Sequence, residues 1–208
     1  MENNLNLDGV GNTAPQKFMK RLYPPKDVYR FLRDMLASMG DMRKGRKENL
    51  VSEEFSERIM LAVTEVNGCR YCSYFHTQVA LKAGLDESEI SDVLSGDFQA
   101  APVEELQALL FAQHYADQAG KPEEELVNKL LDNYGDAKGR AIIGNIRAIT
   151  VGNAWGNAFD ALRLRLKGQP INSIKLGGEL VDVLGLPFML PVAALHNWIA
   201  PRKIIEID

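Results

Sequence analysis

SEEFSERIMLAVTEVNGCRYCSYFHTQVALKAGL, residues 52–85, reads as two helices joined by a tight turn. Ser52 suits a helix N-cap, and Glu53 and Glu54 sit where the first-turn amides favour negative charge. Phe55, Ile59, Ala62, Val63 and Val66 recur at helical spacing and give the first helix its buried side. Asn67-Gly68 ends it. Cys69 begins the second helix, which runs to about Lys82 and stops at Gly84.

The same punctuation continues on both sides. Upstream, Pro24-Pro25 opens a helix whose stripe is Val28, Phe31, Leu32, Met35, Leu36 and Met39. Gly40 is expected to end it, and residues 41–49 to form a charged loop. Downstream, Asp86 and Glu89 start a short helix ending near Gly96. Pro102 opens another that ends at Gly120, and the segment from Pro122 to Tyr134 repeats the design with Gly135 after it. Residues 137–167 read as one long helix carrying Gly144, Gly152 and Gly156, positions for close packing or for kinks. Two shorter apolar helices are expected at 174–184 and 192–199. Apart from residues 204–207, no alternation suggests a strand, and without a βαβ unit the thioredoxin fold is not expected. The fold class is therefore all-α: one helical domain over residues 1–208, with residues 1–15 a loose polar arm.

Composition fits this reading. Hydrophobic residues make up 46% of the 208, enough for a sizeable core, and charged residues 25%. A net charge of −4 argues against nucleic acid as the partner. Residues 17–48 are the exception, with ten Lys and Arg against four acids; this is read as a solvated face rather than a surface for an anionic partner. Residues 1–18 contain no apolar run of the signal-peptide kind. No uninterrupted stretch reaches the roughly 18 apolar residues of a membrane span. Residues 184–199 come nearest, but Pro187, Pro191 and His196-Asn197 interrupt them. A cytoplasmic, reducing location without a membrane span is expected, and there two cysteines three apart point to redox or metal chemistry rather than a structural bridge.

The chemistry-bearing residues lie on the second helix. Cys69 and Cys72 share one face of its first turn, so a disulfide can close between them. The free amides there favour a thiolate, the reactive form of a cysteine. His76 lies four positions after Cys72 and seven after Cys69, on the same face. It can take a thiol proton or return it. A carboxylate on its other nitrogen would orient it, and the preceding helix offers both Glu57 and Glu65. Zinc is the main competing reading, with Cys69, Cys72, His76 and Glu57 as four ligands, but closed zinc sites usually hold more sulfur within a turn or ribbon.

Ser56-Glu57-Arg58, Asn67-Gly68-Cys69-Arg70-Tyr71-Cys72, Ser73-Tyr74-Phe75-His76-Thr77 and Ala83-Gly84 together resemble the alkyl hydroperoxidase D/carboxymuconolactone decarboxylase family. Its pattern sets a glutamate twelve positions before the first cysteine of a CxxC and a histidine four after the second. Glu57, Cys69, Cys72 and His76 match all four positions, which selects Glu57 over Glu65. The resemblance covers about residues 51–120, is clearest over 57–84, and leaves an N-terminal extension, 1–50, and a C-terminal helical extension, about 168–208. It implies an all-α helical bundle of the alkyl hydroperoxidase D type, assembled as a homo-oligomer, a trimer or a hexamer of dimers. It implies a thiol-dependent peroxidase or disulfide reductase with a redox-active disulfide and no other cofactor or metal. A peroxide or disulfide would be the substrate and a thiol or redox protein the reductant. Cys72 would be the thiol nearest the Glu57–His76 relay. The founding antioxidant members carry a histidine just before the second cysteine; here Tyr71 stands there as a possible accessory. The decarboxylase branch generally lacks the cysteine pair, so lactone decarboxylation is not expected. The alternative class is a non-catalytic, oligomeric redox sensor or zinc-binding protein.

Two further histidines, His114 and His196, are read as structural, the latter alternatively as a contact between subunits. Trp155 and Asn157 are candidates for lining a pocket, with packing the favoured role for the tryptophan.

Overall fold

The computed structural model describes residues 21–169 and 176–202. The N-terminal arm and residues 204–207, with their readings, lie outside these. Among the described residues there are eight α-helices, one 3₁₀ turn and no strand. In chain order they are α1 (Pro25–Lys47), α2 (Glu53–Asn67), α3 (Arg70–Ala83), α4 (Glu87–Leu94), the 3₁₀ turn Val103–Glu105, α5 (Leu106–Asp117), α6 (Glu124–Tyr134), α7 (Asp136–Leu166) and α8 (Leu176–Ile199).

α2 is the central helix. Phe55, Ile59, Leu61, Ala62 and Val63 are buried in a core shared with α5 and α7. Its ends are set by the residues expected. Ser52 Oγ accepts from the Phe55 amide at 3.1 Å. Gly68 turns the chain at φ 65°, a left-handed conformation that a side chain would make costly. A second core joins α1 to α7 and α8 through Val28, Phe31, Leu32, Val151, Ala154 and Ala193. α7 thus touches both cores.

Two expectations fail. α1 does not stop at Gly40 but continues to Lys47, so residues 41–47 are helical rather than a loop. A glycine inside a helix costs only about 1 kcal/mol, and packing on α7 outweighs that. Gly45 lies so close to Ala141 that a Cβ on it would fall 2.4 Å from the Ala141 Cβ. Gly144 of α7 likewise backs onto α1, where a Cβ would meet the Ser38 carbonyl at 3.2 Å.

The two short C-terminal helices are also one, α8, running through both prolines. Pro187 cannot donate to the Val183 carbonyl one turn earlier. Trp155 Nε1 reaches that carbonyl instead, at 3.4 Å. Both proline rings are on the exposed side of the helix. The expected interruption of the apolar run is therefore absent. Residues 177–199, with a mean hydropathy of 1.6, are long and apolar enough to cross a membrane by length and composition.

Candidate active site

The turn between α2 and α3 is clamped before any chemistry is considered. Asn67 is fully buried. Its side-chain oxygen accepts from the Tyr23 hydroxyl at 2.7 Å, and its carbonyl accepts from Asn157 Nδ2 at 2.7 Å. Asn157 therefore holds the backbone of this turn. Cys69, the residue after Gly68, is the N-cap of α3, and its Sγ accepts from the Cys72 amide at 3.3 Å.

Cys69 and Cys72 are joined as a disulfide, with Cα atoms 5.3 Å apart. The two sulfurs differ in setting. Cys69 is 1% exposed and packed against α7, where a Cβ on Gly156 would come within 2.7 Å of its Sγ. Cys72 is half-buried and opens onto an apolar groove of about 420 Å³. His76 and Phe75 of α3 and Ile149, Gly152, Trp155 and Phe159 of α7 form the groove's other walls. The Trp155 and Phe159 rings stack, and Tyr71 meets Phe159 edge-on. Trp155 thus belongs to the cavity rather than to the core. Gly152 and Gly156, one turn apart on α7, leave the space that the groove and the disulfide occupy.

Glu57 is buried on α2, and its Oε2 lies 2.8 Å from His76 Nδ1. Glu65, the other carboxylate considered, accepts from Gln113 Nε2 at 3.2 Å and has no part in this pair. With Nδ1–H donated to a carboxylate, Nε2 is left as the acceptor nitrogen of the ring. Glu57 and His76 also line a second cavity, of about 570 Å³, with Arg46, Ser56 and Asn145 beside Met42, Met60 and Val79. His76 is common to both cavities. The first is apolar and holds Cys72; the second has a mixed lining and holds Glu57.

Neighbouring bonds fix these positions. Ser56 Oγ donates to Asn145 Oδ1 at 2.9 Å, tying α2 to α7. Arg58 is buried between Glu89, at 2.5 Å, and Glu105, at 3.0 Å. On α3, Arg70 pairs with Asp160 of α7, and the Tyr71 hydroxyl donates to the same carboxylate at 3.1 Å and accepts from Arg163 at 3.1 Å. Asp160 is 1% exposed, so it anchors the first turn of α3. Nothing in the sequence singles it out except its place in the glycine-spaced helix.

The other histidines lie apart from this site. His114 pairs with Glu123. His196 Nδ1 is 3.1 Å from the Tyr29 hydroxyl, a contact within the chain. Among the described residues, no three His, Cys, Asp or Glu side chains are grouped so that they could hold a metal ion.

A search of the curated proteins and of the solved structures gives no match to this chain. A family model does match, that of the carboxymuconolactone decarboxylase family, over residues 33–117. The match begins within α1, earlier than the motif suggested, and runs to the end of α5. With the cysteine pair on α3, this match over residues 33–117 is consistent with the alkyl hydroperoxidase D-like branch of that family.

Proposed function

We propose that the chain is a thiol-dependent peroxidase or disulfide reductase whose redox centre is Cys69–Cys72, acting on apolar hydroperoxides. The observation that carries this reading is the position of His76. It shares the apolar groove with Cys72, and its Nδ1 is paired to Glu57 at 2.8 Å.

In the reduced enzyme, His76 takes the Cys72 proton, and Glu57 steadies the resulting imidazolium. The Cys72 thiolate attacks the outer oxygen of the hydroperoxide. The O–O bond breaks, the alkoxide leaves with the proton from His76, and Cys72 becomes a sulfenic acid. Cys69, buried and one turn away, attacks the Cys72 sulfur. The S–O bond breaks, water leaves, and the disulfide forms. Two thiols and one hydroperoxide thus give one disulfide, one alcohol and one water. An external dithiol then reduces the disulfide by exchange.

The groove walls favour an apolar substituent on the peroxide. Turnover with a small dithiol should therefore show a kcat/KM for cumene hydroperoxide at least about tenfold above that for hydrogen peroxide. Equal values, or no turnover with either, would refute the reading. The zinc alternative needs Cys69, Cys72, His76 and Glu57 to converge on one ion. Here the sulfurs are bonded to each other, and Glu57 is bonded to His76.

A further inference from the structure

α8 is amphipathic in the wrong sense for a helix that faces water. Its inner stripe, Glu179, Asp182, Leu186, Met189, Ala193 and Asn197, lies against α1 and α7 and includes both of its acids, each 1% exposed. Its outer stripe, Leu184, Phe188, Val192, Leu195 and Ile199, is apolar throughout, with Trp198 beside it. Phe188 is 76% exposed and Trp198 80%. From Leu184 to Ala200 the sequence contains no Asp, Glu, Lys or Arg. An exposed apolar strip several turns long marks a surface that something else covers.

The charge around the strip identifies the covering. At the C-terminal end of α8, Lys26, Arg30, Arg33, Lys121 and Arg202 line one depression of about 270 Å³, with Asp27 as its acid. Arg33 donates to Asn197 and to the Ala200 carbonyl, at 2.9 and 2.7 Å, which places these cations against the end of the helix. At the N-terminal end the charges are matched, with Arg165 of α7 bonded to Glu179 at 2.8 Å. The chain as a whole is acidic, at −4, yet the C-terminal end of this face sets five cations against Asp27 and Asp34. An anionic lipid surface complements both the apolar strip and this basic end.

We infer that α8 docks the protein, lying in the plane of the surface, on membranes that contain anionic lipid. The helix keeps its inner bonds to α1 and α7 and sinks only its outer stripe among the acyl chains. The cations at its C-terminal end assign this apolar strip to lipid.

The test is flotation of the full-length protein with two kinds of vesicle, phosphatidylcholine alone and phosphatidylcholine with roughly a third phosphatidylglycerol. The expected result is binding at least about tenfold stronger to the anionic vesicles, weakened by high salt. Phe188→Glu, on an exposed side chain, should abolish binding while leaving the thermal melt unchanged, and Leu195→Glu should do the same. Absence of binding to either vesicle, or binding that Phe188→Glu leaves intact, would overturn the inference. So would light scattering in which Phe188→Glu splits a dimer while neither form binds vesicles, since the face would then belong to a second copy.

Discussion

Glu57 Oε2 lies 2.8 Å from His76 Nδ1, across two helices whose connecting turn carries Cys69. The pair is the hinge of the proposed chemistry, because a cysteine of ordinary pKa, roughly 8.5, is only a few per cent thiolate at neutral pH. His76→Gln should slow peroxide turnover by about 10²–10⁴-fold with the fold intact. Glu57→Gln should slow it less, and the double variant should be little worse than His76→Gln, since the two residues act as a unit. Steady-state rates on the four proteins check this. Near-normal rates in both single variants would leave the cysteine pair working without a relay.

Gly156 supplies the space behind the disulfide. A methyl group there would sit 2.7 Å from Cys69 Sγ and 3.5 Å from Cys72 Sγ. Alanine normally stabilises a helix over glycine by about 1 kcal/mol, so Gly156→Ala has opposing effects. Overpacking of this kind costs typically about 1–3 kcal/mol. The variant is expected to unfold at lower denaturant than the parent when oxidised. A rise in stability would show that α7 yields freely at this point.

Arg58 is bonded to both Glu89 and Glu105. Burial pushes the Glu105 carboxyl up, and Arg58 draws it back down. Arg58→Met removes that compensation and should cost about 3–5 kcal/mol at neutral pH. Without Arg58, Glu105 binds a proton more readily folded than unfolded, so acidification toward pH ~5 should restore part of the loss. Chemical denaturation at the two pH values measures both effects.

Asp182 is buried, its Oδ1 has no hydrogen-bond partner among the described residues, and burial together with the nearby Glu179 charge pushes its pKa from 3.8 up to about 7. A carboxyl raised on folding contributes stability that is full below pH 3.8 and is lost as the pH rises through about 7. Asp182→Asn should therefore match the parent near pH ~4 and exceed it increasingly up to neutrality, by at most about 4 kcal/mol. Thermal melts across that range give the sign directly, and a variant less stable than the parent at pH ~8 would contradict it.

The local parts of this molecule are the parts legible in its sequence. Ser52, Gly68 and Gly84 end their helices because capping and left-handed turns are decided by one or two residues. The placing of His76 one turn after Cys72 follows from helical spacing, but spacing leaves Glu57 and Glu65 both open as its partner. The family pattern chooses Glu57, and the contact at 2.8 Å is with Glu57. Of the far wall of the groove only Trp155 is marked in the sequence as a pocket candidate, and nothing there ties it to the cysteines. Ile149, Trp155 and Phe159 are about eighty residues from the cysteines in the chain, and only the packing of α3 on α7 brings them together. Gly40 and the two prolines misled for a related reason. Each is a local breaker overruled by tertiary structure, through packing against α7 in one case and the Trp155 bond to the Val183 carbonyl in the other.

The most direct test of the central claim is a count of free thiols in the reduced protein before and after one equivalent of cumene hydroperoxide, with the alcohol product measured on the same sample. The account predicts that two thiols per chain fall to none, with one cumyl alcohol formed and one bridge within the peptide containing Cys69 and Cys72. Cys72→Ser should form no alcohol. Thiols that persist after the peroxide is added, or alcohol formed equally well by Cys72→Ser, would contradict it.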